Sequence, residues 1–169
     1  MTTSASKMRQ LVDWSAALWA GLIAGSVFFL LLVFVTPIFA GGNAWVVIRL
    51  LASIGLGADI LAPPATFDLT ALIVALISNF VLSIGFALLI AYVLHRWGLI
   101  VGIVGGALLG LALYAINFYT LTLFFPWFFA MRSWPIVISH IIFGALAGGI
   151  YESLEVEEFI PVENRHYRN

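Results

Sequence analysis

Six polar side chains interrupt the long apolar runs of this sequence, and they are the residues most able to do chemistry. They are Asn79, Ser83, Tyr114, Asn117, Ser139 and His140. A polar group inside a membrane is costly, so each of them is a candidate functional residue by default. With a rise of about 1.5 Å per helical residue, all six are expected roughly 18–28 Å from the cytoplasmic helix ends, in the outer half of the bilayer. Among them, His140 alone titrates near neutral pH.

This buried polar cluster has a functional and a structural interpretation. In the functional one, it lines a pocket open to the outer side, where His140 binds a ligand or cofactor, coordinates a metal or tetrapyrrole, or relays a proton. In the structural one, His140, Asn79 and Asn117 form hydrogen bonds between helices, each worth about 0.6 kcal/mol. The sequence favours the structural interpretation. A bis-histidine haem is not expected, because His95 lies at the cytoplasmic end of its helix and His166 lies in the tail.

The sequence lacks the residues and motifs that most classes of enzyme use for catalysis. The chain has no cysteine, which excludes disulfides, thiolate metal sites and thiol nucleophiles. It also has no nucleophile elbow, no His-Glu-x-x-His, no phosphate-binding glycine loop and no dinucleotide fingerprint. A net charge of -1 offers no basic surface for nucleic acid. We therefore expect a protein that is not an enzyme, holds no metal and does not bind nucleic acid.

Two charged groups near helix ends have simpler explanations than a binding site. The acidic residues between Glu152 and Glu158 suggest a cation site, but acidic residues just past a helix end usually form a solvated tail. The pair His95-Arg96 could bind a lipid phosphate, although its place at a cytoplasmic helix end already explains it as a topology anchor.

The elements that must position these residues are apolar helices. The chain is 63% hydrophobic and 9% charged, with a mean hydropathy of +1.13, whereas an ordinary soluble domain is about 25% charged. This composition predicts an all-α integral membrane protein with four transmembrane helices in an antiparallel bundle, at about 14–39, 69–94, 98–125 and 136–152. A short interfacial or re-entrant helix is expected at about 43–56, and Asp68 is expected to cap the second span. The membrane domain 14–153 lies between a polar lead, 1–13, and a polar tail, 154–169.

Small residues recur every fourth position on each span and predict where helices pack. Glycines at this spacing let two backbones approach closely in a membrane. The predicted packing residues are Gly21, Gly25, Ala75, Asn79, Ser83, Gly98, Gly102, Gly106, Gly110, Gly144 and Gly148. Because His95 to Trp97 form a very short turn, the second and third spans are expected to pack as a tight antiparallel hairpin.

Positive residues near the helix ends predict the orientation. With four spans, five basic residues fall on one side and two, Arg49 and Arg132, on the other. The five are Lys7, Arg9, Arg96, Arg165 and Arg168. Basic residues are enriched in cytoplasmic loops, so both termini are predicted to be cytoplasmic in a multi-pass protein of the inner membrane.

The sequence leads us to expect a non-catalytic accessory subunit that packs against and stabilises a larger membrane complex, plausibly one of electron transport or photosynthesis. Four helices cannot bury every small-residue stripe on themselves, which leaves some for other integral membrane subunits. One alternative is a small homo-oligomeric transporter or channel with its path at the level of His140. Another is a protein in which His140 binds a cofactor or quinone. Bound bilayer lipid is expected; no haem, pigment or quinone is predicted, although each is left open.

Overall fold

Four helices of the structure are long and apolar enough to cross a membrane. They are Trp14–Ala40, Leu69–Leu94, Gly98–Leu123 and Trp134–Leu154. The structure is a computed structural model that describes residues 8–161; Lys7, Arg165, His166 and Arg168 lie outside this range. The prediction of an all-α chain is confirmed, and so is the prediction of four helices with the length and composition to span a membrane.

Two of the spans contain a change of helical pitch. The first is made of α1 (Trp14–Leu30), a π-helical turn (Leu31–Val35) and α2 (Thr36–Ala40). The third is α5 (Gly98–Ala115), followed by a π-helical turn (Ile116–Thr120) and a 3-10 turn (Leu121–Leu123). The remaining helices are α3 (Ala44–Leu56), α4 (Leu69–Leu94) and α6 (Trp134–Leu154), with 3-10 turns at Ala58–Leu61 and Pro126–Met131. The third span therefore ends two residues earlier than expected, and Pro126 begins the next turn instead.

Short polar side chains begin three of these helices. Asp68 Oδ1 accepts a hydrogen bond from the backbone N–H of Ala71 at 2.9 Å, as expected for the cap of α4. Asn43 accepts from the first turn of α3, and Asp13 accepts from the first turn of α1. Such side chains satisfy N–H groups that have no partner within the helix.

The glycines of α5 pack against those of α6. A Cβ atom added to Gly106 would overlap the carbonyl oxygen of Gly144, and one added to Gly144 would overlap the carbonyl oxygen of Gly106. Gly102 and Gly110 meet the backbone of α6 in the same way, at Gly148 and His140. The two backbones are in direct contact, and no side chain fits between them.

Two expectations about the third span were wrong. Gly98 is not part of this contact: it begins α5 with φ of 76°, and nothing lies within 4 Å of a Cβ built on it. The tight packing expected between the second and third spans is found between α5 and α6 instead. The reason is side-chain size, because Ile90 and Leu94 of α4 face α5 with bulky groups where α6 presents glycine.

The small-residue stripe of α1 packs against α4. A Cβ atom on Gly21 would lie 2.8 Å from the Cα of Ile84, and one on Gly25 would lie 2.6 Å from the Cβ of Ser83. The stripe on α4 is buried throughout. Its members are Ala71, Ala75, Asn79, Ser83, Ala87 and Ala91, each at most 2% exposed. The stripes of all four spans are thus used for packing within the chain.

A two-stranded antiparallel ribbon joins the described ends of the chain. Strand β1 (Met8–Gln10) pairs with β2 (Phe159–Pro161), with Arg9 opposite Ile160. The ribbon lies at the end of the bundle where α1 begins and α6 ends, which we call the ribbon end. The sequence did not predict it, since strands of three residues carry no readable pattern. The pairing places both described ends on one side; that this side is cytoplasmic stays a prediction.

Asp13 connects the first turn of α1 to the segment that follows α6. Its replacement should measurably lower the stability of the protein. Its Oδ1 accepts from Ala16 N at 3.0 Å and its Oδ2 from Val156 N at 3.1 Å. We expect Asp13→Ala to lower the free energy of unfolding by about 1 kcal/mol. Asp13→Asn should lose less, because its amide oxygen can still accept from Ala16. Unfolding curves in detergent at neutral pH measure both, and an unchanged Asp13→Ala protein would contradict this role.

The same hydrogen bonds, chiefly that from Ala16, lower the pKa of Asp13 below its usual value. A group with a lowered pKa in the folded state stabilises the fold fully above its unfolded pKa. The difference between the parent and Asp13→Ala should therefore be complete at neutral pH and should vanish as the pH falls through the lowered pKa.

Candidate functional site

A cavity of about 140 Å³ lies among α3 and the four spans, and part of the polar cluster lines it. Asn79, Ser83, Asn117 and His140 line it. Tyr114 and Ser139 do not: the ring of Tyr114 packs edge-on against that of His140, and the Ser139 hydroxyl donates to Pro135 O at 2.8 Å. Four of the six predicted residues thus line one cavity, and they come from α4, from the end of the third span and from α6.

The hydrogen bonds of His140 fix its tautomer. Its Nδ1 lies 2.8 Å from the carbonyl oxygen of Ile136, which can only accept, so Nδ1 carries the proton. Its Nε2 is then an acceptor, and the Asn117 Nδ2 amide donates to it at 3.3 Å. His140 is 4% exposed. Both ring nitrogens are therefore used inside the chain by a neutral imidazole.

Aromatic rings surround the imidazole of His140. The ring centroids of Phe28, Tyr114 and Phe118 lie 4.8, 5.6 and 5.8 Å from it. A metal or haem iron needs an unpaired nitrogen with open space in front of it, and Asn117 already occupies Nε2. Between residues 8 and 161, no three His, Cys, Asp or Glu side chains lie close enough to hold a metal ion. The geometry thus favours hydrogen bonding over metal coordination at His140.

Two acceptor atoms of the polar cluster have no hydrogen-bond partner within the described chain. Asn79 donates through Nδ2 to Gly25 O at 3.0 Å, which leaves its Oδ1 buried and without a hydrogen bond. Asn117 donates to His140, and its Oδ1 is likewise buried and without a hydrogen bond. A buried polar atom in this condition costs about 1–3 kcal/mol. Both residues line the cavity, so a bound molecule there could satisfy them.

The rest of the cavity is apolar and reaches the outer surface. Leu50 and Leu51 of α3 form one wall, and Phe125 and Phe128 cover the end away from the ribbon. Leu82, Phe86 and Leu121 also line it and are only half-buried. These three side chains belong to α4 and to the end of the third span, and Ile54 of α3 is a further half-buried residue of the wall.

Sequence reasoning missed the contribution of α3 and of the turn Pro126–Met131. The turn packs back on α3. Trp127 Nε1 donates to Ser53 Oγ at 2.8 Å, and Ser53 is fully buried. A serine inside the apolar run 44–56 was the one available signal for this contact.

Arg49 fixes the connection between α3 and α4. Its guanidinium donates to the carbonyl oxygens of Ile60, Ala62 and Thr66 at 3.1 to 3.4 Å. These hydrogen bonds hold the backbone of the connection in place.

Between residues 8 and 161, the chain is thus an all-α protein with four helices long and apolar enough to span a membrane, and a lateral cavity lies among them. Comparison of the chain with protein-family models, with curated proteins and with solved structures finds no match.

Proposed function

We propose that the protein is a non-catalytic membrane protein that binds a hydroxyl-bearing amphiphile of the lipid phase in its lateral cavity. The observation that carries this proposal is the pair of buried acceptors, Asn79 Oδ1 and Asn117 Oδ1, on residues that line a mostly apolar cavity. An acceptor is satisfied only by a donor. A ligand that satisfies both therefore carries donor groups, for which we propose hydroxyls, on a mostly apolar body.

The size of the cavity agrees with a ligand larger than water. A cavity needs about 10–15 Å³ to hold a single water molecule. The volume of this cavity is about 140 Å³. A six-membered ring with hydroxyl substituents, such as the head of a quinol, suits this space and the two acceptors. We place the mouth of the cavity between α4 and the end of the third span, at the half-buried Leu82 and Leu121, so that the apolar tail remains among the acyl chains.

The test is to purify the protein from its native membrane in mild detergent, extract it and identify bound small molecules by mass spectrometry. We expect one hydroxyl-bearing amphiphile in near-stoichiometric amount. Leu82→Trp should fill the mouth and reduce the bound amount by at least about tenfold, the effect of about 1.4 kcal/mol. The matched control is Leu89→Trp on the same helix, since Leu89 is 50% exposed and lies outside the cavity. Protein that carries no such molecule, or equal binding by both variants, would contradict the proposal.

A second proposal is the accessory-subunit role expected from the sequence. The small-residue stripes no longer support it, because contacts within the chain occupy them. Its support is the outer face of α4, where Gly85 lies exposed between Val81 and Leu89 with nothing within 4 Å of a built Cβ. A notch between apolar side chains suits the approach of a helix from another subunit. An energy-transducing partner complex and an inner-membrane location with a cytoplasmic ribbon end are parts of this proposal.

The same purification tests the second proposal. Larger membrane subunits should elute with the protein in a fixed ratio, and Gly85→Leu should release them without unfolding the chain. A homo-oligomer free of other subunits would contradict it. The transport alternative has less support, since no carboxylate of the described residues lines the cavity and aromatic rings close the space around His140.

A further inference from the structure

A second, larger cavity lies at the ribbon end and is unlike the first in its chemistry. Its volume is about 620 Å³, and it separates β1 and the start of α1 from the end of α4. Arg9 lines one side, and His95 and Arg96 line the other. Both arginines are exposed, so their charged groups can reach a molecule in this cavity.

The hydrogen bonds of Arg96 and His95 leave most of the Arg96 guanidinium free to bind a ligand. His95 Nδ1 lies 3.0 Å from the carbonyl oxygen of Tyr92, so this nitrogen carries the proton and donates. Arg96 Nε donates to His95 Nε2 at 3.1 Å. This contact uses one of the five donors of the guanidinium and fixes the direction of the arginine. The two terminal nitrogens of Arg96 remain for another acceptor.

The nearby carboxylates lie outside this cavity, including Glu152, which interacts with the backbone of Gly98. Asp13 uses both carboxylate oxygens on backbone N–H groups, those of Ala16 and Val156. Asp13 and Glu158 line an adjoining cavity and not this one. The walls of the larger cavity therefore carry positive charge and no carboxylate among the described residues.

Exposed aromatic rings place the cavity at the membrane surface. Trp14, Tyr92 and Trp97 line it and are 51%, 61% and 65% exposed. Tryptophan and tyrosine are enriched at the level of the lipid headgroups, where one side of the ring is apolar and the other is wet. Phosphate groups of phospholipids lie at this same depth, and guanidinium groups bind phosphate oxygens in pairs.

We propose that Arg9 and Arg96 bind the phosphate group of an anionic phospholipid in this cavity, with Trp14 and Trp97 flanking the glycerol region. The ligand chemistry is a phosphate oxyanion held by two guanidinium groups. Its role is to tie the ribbon, and through it both described ends of the chain, to the lipid headgroups. This site is independent of the lateral cavity and of what that cavity binds.

The test is lipid retention by the full-length protein in nanodiscs that contain phosphatidylglycerol and phosphatidylcholine, read by native mass spectrometry. The parent should retain phosphatidylglycerol in preference to phosphatidylcholine. Arg96→Gln should weaken this preference by at least about tenfold, and Arg9→Gln should act in the same direction. Arg96→Lys keeps the charge and should retain part of the preference. The matched control is Arg132→Gln, because Arg132 stacks on the ring of Phe129 far from the ribbon end.

Two results would overturn the proposal. The first is an equal phosphatidylglycerol preference in the parent, Arg96→Gln and Arg132→Gln at matched helical content. The second is displacement of the lipid by millimolar inorganic phosphate, which would assign the site to free phosphate and not to a headgroup. Retention of phosphatidylglycerol in the presence of inorganic phosphate, lost in Arg96→Gln, would establish the lipid site.

Discussion

Replacing Gly106 by alanine should force α5 away from α6 and lower the free energy of unfolding by about 3 kcal/mol, at the upper end of the usual effect of overpacking. The added Cβ would overlap the carbonyl oxygen of Gly144 and would lie 3.4 Å from the Cα of Gly148. These are backbone atoms, which cannot turn away as a flexible side chain can. Because the glycines of both helices interlock, the displacement must be shared along the whole contact. Gly106→Leu should prevent the two helices from packing at all.

Gly85→Ala is the matched control for this prediction. Gly85 also lies inside a span, but nothing is within 4 Å of a Cβ built on it. Alanine there should change the free energy of unfolding by no more than about 0.5 kcal/mol. Reversible unfolding in mixed detergent micelles compares the two. Equal stability of Gly106→Ala and Gly85→Ala would show that the backbone contact between α5 and α6 does not hold the bundle together.

The comparison of these glycines also shows what the sequence can predict. Spacing of four identifies the face of a helix that packs, and Gly102, Gly106 and Gly110 are indeed buried on one face. Spacing does not identify the partner helix. That choice depends on which neighbour offers equally small residues, and α6 does so at Gly144 and Gly148 whereas α4 presents Ile90 and Leu94.

The spans themselves were predictable for a simple reason. Membrane hydropathy is averaged over about 19 residues, so single residues hardly affect it. The second span was expected at 69–94 and is found at Leu69–Leu94, with Asp68 as its cap. The ribbon had no comparable signal, because three-residue strands form only once the bundle brings both ends of the chain together.

The sequence identified part of the lining of the cavity. Rise per residue predicted six polar residues at one depth, which stays a prediction, and four of the six line the cavity. Tyr114 packs its ring against His140 instead, and the Ser139 hydroxyl donates to Pro135 O. The apolar walls came from α3 and the turn Pro126–Met131, which short-window hydropathy could not assign. A cavity is a property of several helices together, so single-helix patterns do not reveal it.

Asn117→Leu should separate a binding site from a structural lock. Leucine is close to asparagine in size but offers no acceptor, so the variant loses one of the two atoms that the ligand needs. We expect the amount of bound amphiphile to fall by at least about tenfold. The free energy of unfolding should change by less than about 1 kcal/mol, because removal of an unsatisfied buried oxygen offsets loss of the bond to His140. Extraction with mass spectrometry and unfolding on the same preparation provide both readouts.

His140→Phe completes the comparison, because His140 accepts from the Asn117 amide nitrogen and offers neither of the two unpaired amide oxygens. Phenylalanine suits a place already surrounded by Phe28, Tyr114 and Phe118. It removes the acceptor that orients the Asn117 amide and the donor to Ile136 O. Binding should therefore weaken less in His140→Phe than in Asn117→Leu. The reverse order would make His140 the binding group, as a histidine-ligated cofactor requires. Loss of stability in both variants, with no bound molecule in the parent, would leave the cluster as a hydrogen-bonded lock between helices.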